Sequence, residues 1–368
     1  MMEEKFECGS APIPFFDPCT SDRLDSMLLS LRERAGRKNK GKSHSEPVAC
    51  WLGKDTLECK PIPALTIILS TVGCSFARSG GCTMCGYIND ASIEPPGADA
   101  LVAQLKSGFK KAPLSDFVVK IFTSGSFFDM QEVGSAAQKH LLECLEQSEN
   151  VRKVIVETRP EFVNRESLGR VREVFHKPFE IAMGLESAND TIRKFCINKR
   201  FTFDQFREAS SIASGKDITV RAYLLLKPPF LSEGDALRDV IESISRAAHY
   251  AGTISINPCN VQRGTLVEEL YHGRGYRPPW LWSIIEALRS GKENNPDTTI
   301  ISDPVAAGTE RGPYNCPECN KRAARVIEEF SVTQQRELLE RFHCDCKHLW
   351  EKVVALEDYT YGAQLKIR

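Results

Sequence analysis

The stretch "LTIILSTVGCSFARSGGCTMCGY", Leu65 to Tyr87, joins an apolar run directly to a loop that carries three cysteines. The run is rich in β-branched residues and predicts a strand that is covered on both faces. The loop places Cys74, Cys82 and Cys85 in a C-x7-C-x2-C arrangement, and its glycines allow the backbone to approach a bulky inorganic group closely. Because parallel α/β folds gather their chemistry in the loops that follow the strands, the stretch predicts a metal site at the carboxyl edge of a sheet.

Five similar runs follow along the chain, and they predict the rest of that sheet. They are "FVVKIFT", "VRKVIVET", "FEIAMGL", "ITVRAYLLL" and "TISINP". Segments with helical periodicity lie between them, such as "GSAAQKHLLECLEQSE" and "GDALRDVIESISRAAHYAG". Alternating strands and helices favour a parallel sheet, and six βα units are fewer than the eight of a closed barrel. We therefore expect an α/β fold with an open, partial (βα)6 barrel at residues 61–305.

The composition narrows the class of protein. The chain has 368 residues, a formal net charge of -1 and 14 cysteines. It contains no apolar run long enough to span a bilayer, and its acidic start, "MMEEKFECGS", is unlike a secretory signal, so we expect a cytoplasmic protein without a membrane partner. Many cysteines in such a protein indicate metal sites or redox chemistry instead of a disulfide framework. The near-zero charge means that any nucleic-acid contact must be local.

Three convergent thiols without a fourth indicate an open metal centre. A structural zinc ion takes four ligands, whereas a [4Fe–4S] cluster held by three cysteines keeps one iron available for chemistry. Two alternatives stay open at this point: a catalytic zinc ion with three cysteine ligands, and a chance grouping in a cysteine-rich chain.

The ends of the later strands carry further motifs: "FTSGSFFD", "VETRPEFV", "MGLESANDTIRKFCINKRFT" and "SINPCNVQRGT". With the cysteine loop, they resemble the radical S-adenosylmethionine superfamily over about residues 65–265. The resemblance implies a radical S-adenosylmethionine partial barrel with a [4Fe–4S] cluster and bound S-adenosylmethionine. It implies that Gly125 and Ser126 form the turn that receives the methionine amino group through backbone contacts. Glu157 then corresponds to an acidic residue near the cofactor.

The same resemblance implies roles for four more residues. Glu186 corresponds to the polar residue that contacts the ribose, and Lys199 corresponds to the basic residue that faces the methionine carboxylate. Met84 matches the apolar position that packs on adenine, and Asn257 is expected to close over it. In this superfamily, electron transfer from the reduced cluster to the sulfonium produces a 5′-deoxyadenosyl radical. The seven-residue first spacer departs from the usual three residues, and longer spacers occur in some RNA-modifying relatives.

A second cysteine group lies in "YNCPECNKRAARVIEEFSVTQQRELLERFHCDCKHLW", within a small C-terminal module predicted at 306–368. Two close pairs of cysteines separated by one element are typical of a structural Zn²⁺ site. We expect the separating helix to begin at "SVTQ", with Ser331 and Gln334 as a capping box. His343 or His348 could replace one cysteine, and a metal-free tail or a redox dithiol stays open. The predicted ligands are Cys316, Cys319, Cys344 and Cys346.

The N-terminal extension, predicted as irregular over residues 1–60, contains the basic segment "LRERAGRKNKGKSHS". It is either a solvated loop or a segment that contacts phosphates through Arg37, Lys38, Lys40 and Lys42. This segment, the barrel and the C-terminal module together resemble the family of the radical enzyme of archaeosine biosynthesis, which shares the "ETRPEFV" and "INKRFTF" segments.

That family implies a substrate and partners. The substrate is a transfer RNA (tRNA) whose D-loop carries a lysine-modified 7-deazaguanine, and the reaction cleaves the lysine carbon–nitrogen bond to leave archaeosine. The implied partners are a lysine-transferring archaeosine synthase subunit and an electron donor. A buried base of this kind must be extruded to reach the radical. The alternatives are another radical RNA-modifying enzyme with an elongator-like core and a non-catalytic, zinc-dependent tRNA-binding subunit. A radical methylthiotransferase is excluded, because only 73 residues precede Cys74.

Overall fold

The computed structural model describes residues 18–36, 44–57 and 60–357. Its centre is an eight-stranded sheet that curls into a half-barrel, with the strands in sequential order. The first two strands are antiparallel, and every later pair is parallel. The strands are β1 (Ala49–Leu57), β2 (Lys60–Ile68), β3 (Phe117–Phe122), β4 (Val151–Thr158), β5 (Phe179–Glu186), β6 (Thr219–Leu226), β7 (Thr253–Pro258) and β8 (Thr299–Ser302).

Helices connect the parallel strands and cover the outer face of the sheet, where the largest hydrophobic cluster lies. None of the described helices is both long enough and apolar enough to cross a membrane. The helices are α1 (Pro18–Ala35), α2 (Ser75–Arg78), α3 (Ala98–Phe109), α4 (Ser135–Glu146), α5 (Arg165–Val174), α6 (Asp190–Phe195), α7 (Phe203–Ser214), α8 (Glu233–Ala247), α9 (Leu266–His272), α10 (Leu281–Asn294), α11 (Asn320–Thr333), α12 (Arg336–Glu340) and α13 (Lys347–Leu356).

The predicted α/β partial barrel is confirmed, and its six predicted strands are β2 to β7. The structure adds a strand at each edge. The antiparallel β1 contains Gly53, Lys54 and Asp55, which are poor strand formers, and β8 has only four residues. Neither strand therefore gives the long apolar run by which the other six were recognised.

The expectation of an irregular N-terminal extension is wrong for the described residues, which form α1 and β1. Three leucines of α1, Leu24, Leu28 and Leu31, recur at helical spacing, and the last two are buried. Gly36, with φ +67°, ends the helix in the left-handed conformation. The predicted basic segment continues from there, but Arg37, Lys38, Lys40 and Lys42 lie outside the described residues.

The C-terminal helices pack on the barrel. Ile327 and Phe330 of α11 and Trp350 of α13 belong to the same hydrophobic cluster as Ile300 of β8. The prediction that the separating helix begins at Ser331 is wrong, because α11 begins directly after Cys319 and ends at Thr333.

Ser331 and Gln334 instead bind the free edge of β8. The Gln334 side chain accepts a hydrogen bond from Ile300 N at 3.0 Å and donates one to Ile300 O at 2.8 Å. Ser331 Oγ accepts a hydrogen bond from Ser302 N at 2.9 Å. These side chains take the place of a ninth strand, so the edge does not present unpaired backbone groups.

Candidate functional site

The cysteine loop lies at the carboxyl end of β2 and is closely packed against the next βα loop. Cys74 precedes the short helix α2, and a Cβ on Gly125 would lie 2.5 Å from Cys74 Cα and 2.7 Å from its Cβ. Only glycine fits at that contact. Gly73 has φ +81°, and a Cβ there would lie 2.5 Å from Ile88 Cδ1. The two glycines allow the loop to fold tightly around Cys74.

The three loop thiols lie close enough to influence one another electrostatically. Cys82 is buried, and Cys74 and Cys85 are half-buried. Within the described ranges, only the C-terminal cysteines form a group whose ligand atoms all lie within 4.8 Å of one another. Thiolates on one zinc ion lie about 3.8 Å apart, given Zn–S bonds of about 2.3 Å. Cysteines that hold a [4Fe–4S] cluster bind different irons and do not need to meet that spacing.

Burial determines the protonation of these thiols before a metal binds. It raises the pKa of Cys82 above its ordinary value and that of Cys85 to about 12. Both groups are therefore neutral thiols near pH 7 in the metal-free chain, and they must release protons when they become ligands.

A buried carboxylate that the sequence did not reveal joins the first two βα loops. Glu132 accepts hydrogen bonds from Thr71 Oγ1 and from Ser126 N, both at 2.6 Å. Burial raises the pKa of Glu132. Ser126 Oγ in turn accepts a hydrogen bond from Arg159 N at 3.0 Å. Gly125 and Ser126 are thus held beside Cys74, with the Ser126 N–H bonded to Glu132 and the Ser126 carbonyl oxygen accepting a hydrogen bond from Asp129 N at 3.1 Å.

Glu157 is the penultimate residue of β4 and faces the inside of the half-barrel. Burial there, with the nearby Glu132 carboxyl group, raises its pKa to about 8. A hydrogen bond with the Tyr223 side chain opposes part of that rise. Glu157 is therefore mainly protonated at neutral pH and can donate a hydrogen bond as well as accept one.

Glu186 and Lys199 are brought into direct contact at the end of β5. Lys199 Nζ lies 2.8 Å from Glu186 Oε1 and donates a hydrogen bond to Gly184 O at 2.6 Å. Both side chains are nearly buried, with 12% and 8% of Glu186 and Lys199 exposed. Glu186 has φ +65°, where the pairing of β5 with β6 shifts register. A residue with a side chain is strained there by about 1–3 kcal/mol, and such strain concentrates at functional sites.

The two residues expected near adenine lie at the same edge of the sheet. Met84 packs against a small apolar cluster that includes Ile197, Leu225 and Cys259. Asn257 lies in β7, and its Oδ1 accepts a hydrogen bond from Ser255 Oγ at 3.3 Å. The seven residues expected to bind the cofactor therefore lie at the carboxyl ends of β4, β5 and β7 or in the segments that follow β2, β3 and β5.

Below this edge, the inner face of the half-barrel carries buried charges that the sequence did not reveal. Asp55 of β1 lies 2.6 Å from Lys120 Nζ and 3.1 Å from Arg221 Nη2. Burial alone would raise the pKa of Asp55, but Arg221 and Lys120 hold it below its ordinary value. Arg221 also pairs with Glu180, which binds Lys153. Each of these charges comes from a different strand, so only the folded sheet brings them together.

The four C-terminal cysteines form a compact group. Sulfur–sulfur distances are 3.5 Å for Cys316 and Cys319, 3.6 Å for Cys316 and Cys344, and 3.6 Å for Cys319 and Cys346. These values match the spacing of about 3.8 Å around one tetrahedral ion. Trp282 Nε1 donates to Cys346 Sγ at 3.3 Å and orients that ligand.

The histidines considered as substitutes are not part of this group. His343 is 82% exposed and lies near Asp345, and His348 bonds the Asp345 carbonyl oxygen. The donor set is four thiolates, which suit Zn²⁺ and also suit a single iron ion.

Comparisons with known proteins place this geometry in a family. No family model matches the chain. Among solved structures, it is similar to an Elp3 of Methanocaldococcus infernus, with a TM-score of 0.45 and 13% identity over 64% of this chain and 58% of that one. A curated archaeosine synthase subunit beta of Methanosarcina acetivorans is 47% identical over 344 residues, which are 93% of this chain and 99% of the relative. The protein of that name from Thermococcus kodakarensis is 40% identical over 83% of this chain and 95% of its own.

The match extends over nearly the whole length of both relatives, 99% and 95% of their chains. The family expected from the sequence is thereby confirmed, and this chain belongs to the archaeosine synthase subunit beta family.

Proposed function

We propose that the chain is the radical S-adenosylmethionine subunit of archaeosine synthesis. It cleaves the lysine carbon–nitrogen bond of a lysine-modified 7-deazaguanine in the D-loop of tRNA and leaves archaeosine. The observation that carries the proposal is the three-thiol loop at the carboxyl edge of a partial barrel, in a chain whose relatives are named archaeosine synthase subunit beta.

The proposed cofactors are a [4Fe–4S] cluster on Cys74, Cys82 and Cys85 and S-adenosylmethionine beside it. When bound, these groups supply a 5′-deoxyadenosyl radical that takes a hydrogen atom from the substrate. The protein binds and orients the cofactor and the substrate, and it excludes water from the site. The carbonyl oxygens of Gly125 and Ser126 accept hydrogen bonds from the amino group.

Glu186 and Lys199 bind different groups of S-adenosylmethionine. Lys199 pairs with the methionine carboxylate, and Glu186 accepts hydrogen bonds from the ribose hydroxyls. Their mutual contact of 2.8 Å keeps both charges compensated before the ligand arrives, because an isolated buried charge is costly. Met84 and Asn257 cover the adenine. Glu157 lies near the cofactor and is mainly protonated before the cofactor binds.

The proposed partners are a tRNA that carries the lysine adduct, a lysine-transferring partner subunit and an electron donor. The relatives' name, subunit beta, supports a partner subunit. We further propose that Cys316, Cys319, Cys344 and Cys346 hold a structural Zn²⁺ ion. The contact of this module with β8 and α10 favours a structural role, because it stabilises the last strand of the barrel.

The decisive experiment measures 5′-deoxyadenosine. Anaerobically reconstituted protein is incubated with a reductant and S-adenosylmethionine, together with lysine-adduct tRNA, unmodified tRNA or free lysine. We expect strong stimulation by the adduct tRNA alone, because a reactive radical should form only with its hydrogen donor in place. A further incubation contains a small-molecule lysine adduct of the base, and equal turnover with it would remove the RNA from the proposal. A protein that binds metal but no iron or sulfide would instead be a non-catalytic, zinc-dependent tRNA-binding subunit.

A further inference from the structure

Helix α1, in the extension that the sequence predicted to be irregular, lies against the seven-residue spacer of the cysteine loop. Arg32 is its main contact. Nη1 donates hydrogen bonds to the carbonyl oxygens of Ala77, at 3.0 Å, and of Gly80, and Nη2 donates to Cys82 O at 3.0 Å. One planar guanidinium therefore holds three carbonyls of the loop, the last of which belongs to a proposed cluster ligand.

The spacer is folded around this guanidinium. Gly80 and Gly81 have φ +138° and +84°, a backbone conformation that residues with side chains rarely adopt. A Cβ on Gly81 would lie 2.7 Å from Arg32 Nη2 and 2.8 Å from Ala77 Cα. The two glycines thus serve to direct the carbonyls toward Arg32.

The charge of Arg32 has no counter-ion among the described residues. Only 8% of Arg32 is exposed, and its hydrogen-bond partners are neutral carbonyls. Buried charges in proteins are ordinarily paired, because an unpaired one is costly. The hydrogen bond from Arg32 Nη2 to Cys82 O places this charge beside the thiols, where Lys199 and Arg159 also act electrostatically on Cys82. A cluster on three thiolates is negative, and its reduction adds another negative charge.

The same helix also holds the segment that contains Lys199. Asp25 Oδ1 accepts a hydrogen bond from Asn198 Nδ2 at 3.1 Å, and Arg200 pairs with the other oxygen. Asn198 Nδ2 also donates to Gly81 O at 2.9 Å. Helix α1 thus connects the spacer with the residues on either side of Lys199.

We propose that Arg32 is a positioning residue and the electrostatic partner of the iron–sulfur cluster. It shapes the long spacer so that Cys74 and Cys82 can bind one cluster, and its charge favours the reduced state. This inference rests on the proposed function only in that the three cysteines hold an anionic cluster. It assigns to α1 a role in cluster assembly and in the cluster's reduction potential.

The test compares three variants after anaerobic reconstitution of the full chain. Arg32→Gln removes the charge, Arg32→Lys keeps it without the planar fork, and Arg34→Gln removes an exposed charge from the same helix as the matched control. Arg34 is 66% exposed and pairs with Glu269 at 3.5 Å, away from the loop carbonyls. The measurements are iron and sulfide per chain under a chelator challenge, and the midpoint potential by redox titration with electron paramagnetic resonance.

Arg32→Gln is expected to retain iron about 10- to 100-fold less tightly, as other residues that orient metal ligands do, and to shift the midpoint potential to a more negative value. Arg32→Lys is expected to retain iron less tightly while its potential stays close to that of the wild type. Arg34→Gln should match the wild type in both measurements. Metal-free melting curves, together with Arg32→Lys, cover the case in which Arg32→Gln does not fold.

The electrostatic part of this inference would be overturned if the midpoint potential of Arg32→Gln equalled that of the wild type. It would also be overturned if Arg32→Lys shifted the potential as far as Arg32→Gln does. Iron retention unchanged in both variants would overturn the positioning part. A wild-type protein that takes up no iron–sulfur cluster would instead overturn the proposed function, so the two failures are distinguishable.

Discussion

The two cysteine groups of this chain differ in how completely the protein arranges them. The C-terminal four stand at the spacing of ligands around one ion. The three loop cysteines do not meet that spacing, and the loop that carries them is held partly by distant parts of the chain, including α1, Gly125 and Asn198. A closed structural site can be built from two short segments, whereas an open reactive site needs most of the barrel.

This contrast predicts that the loop tolerates no loss of a ligand. Cys82→Ala should remove the cluster and all cleavage of S-adenosylmethionine, because a cluster held by three cysteines has no spare ligand. The chain should remain folded, since the hydrophobic cluster on the outer face of the sheet does not include the loop. Iron analysis, the visible absorbance of the cluster and a melting curve measure these effects. Cys144→Ala, a half-buried cysteine on α4, is the matched control. A full cluster in Cys82→Ala would show that the three ligands are wrongly assigned.

The packing around Cys74 gives a second, slightly smaller effect. Gly125→Ala adds a Cβ that would lie 2.5 Å from Cys74 Cα, so one of the two loops must move. We expect most of the cluster to be lost and S-adenosylmethionine to bind weakly, as measured by iron content and equilibrium dialysis. Gly134→Ala introduces the same methyl group with no atom within 4 Å and should behave as the wild type. Normal cluster content in Gly125→Ala would mean that the turn and the cysteine are not in close contact.

At the four C-terminal cysteines, the loss of a ligand should affect local stability and leave the loop cluster intact. Cys316→Ser is expected to lose one metal ion per chain and to loosen residues beyond about 310, while the iron of the loop is retained. Structural zinc contributes on the order of 10 kcal/mol in isolated modules. The loss should be smaller here, because Ile327 and Phe330 also anchor α11 in the hydrophobic core.

Metal analysis together with hydrogen exchange of the C-terminal helices measures these changes. His343→Ala should leave both unchanged, since that side chain is exposed. An unmodified protein with no metal other than cluster iron would contradict the zinc site. One iron ion in place of zinc would keep the ligands and change the metal.

The same contrast separates what the sequence could reveal from what it could not. Strands β2 to β7 were predictable, because buried parallel strands read as continuous β-branched runs. The cysteine pairs were recognisable from local spacing. The roles of Asp25 and Arg32 were not recognisable, because their partners are distant in sequence. Arg32 bonds Gly80 and Cys82, which are 48 and 50 residues away, and Asp25 pairs with Arg200, which is 175 residues away. The helical spacing of the leucines in α1 was the available signal. The Pro-rich residues that precede α1 favoured an irregular structure instead.

The capping-box interpretation of Ser331 and Gln334 failed for a related reason. Serine and glutamine side chains can bond to the backbone of their own helix or to that of a neighbouring strand, and the sequence does not distinguish the two. Here the edge of β8 required partners, and the end of α11 supplied them.

The smallest expected effect concerns the protonation of Glu157, which lies in the open site. Its pKa is raised to about 8 in the folded, metal-free chain and returns to an ordinary value near 4.5 on unfolding. Between these values the folded state binds one more proton than the unfolded state, so this group lowers the free energy of unfolding as pH rises from about 5 to 8. Glu157→Gln mimics the neutral form and should remove that part of the pH dependence. Its stability relative to the wild type should therefore increase from pH 6 to pH 8.

Urea unfolding of the metal-free proteins at pH 6 and pH 8 measures this difference. Asp204→Asn serves as the control, because Asp204 is an exposed carboxylate on α7 that pairs with Arg207 of the same helix. It should leave the pH dependence unchanged. The cofactor should reduce the effect of Glu157→Gln, since a positively charged sulfonium ligand in the open site favours the ionised carboxylate. A Glu157→Gln protein whose stability relative to wild type stays constant between the two pH values would show that Glu157 is ionised in the empty site, and that the half-barrel is wetter than its packing implies.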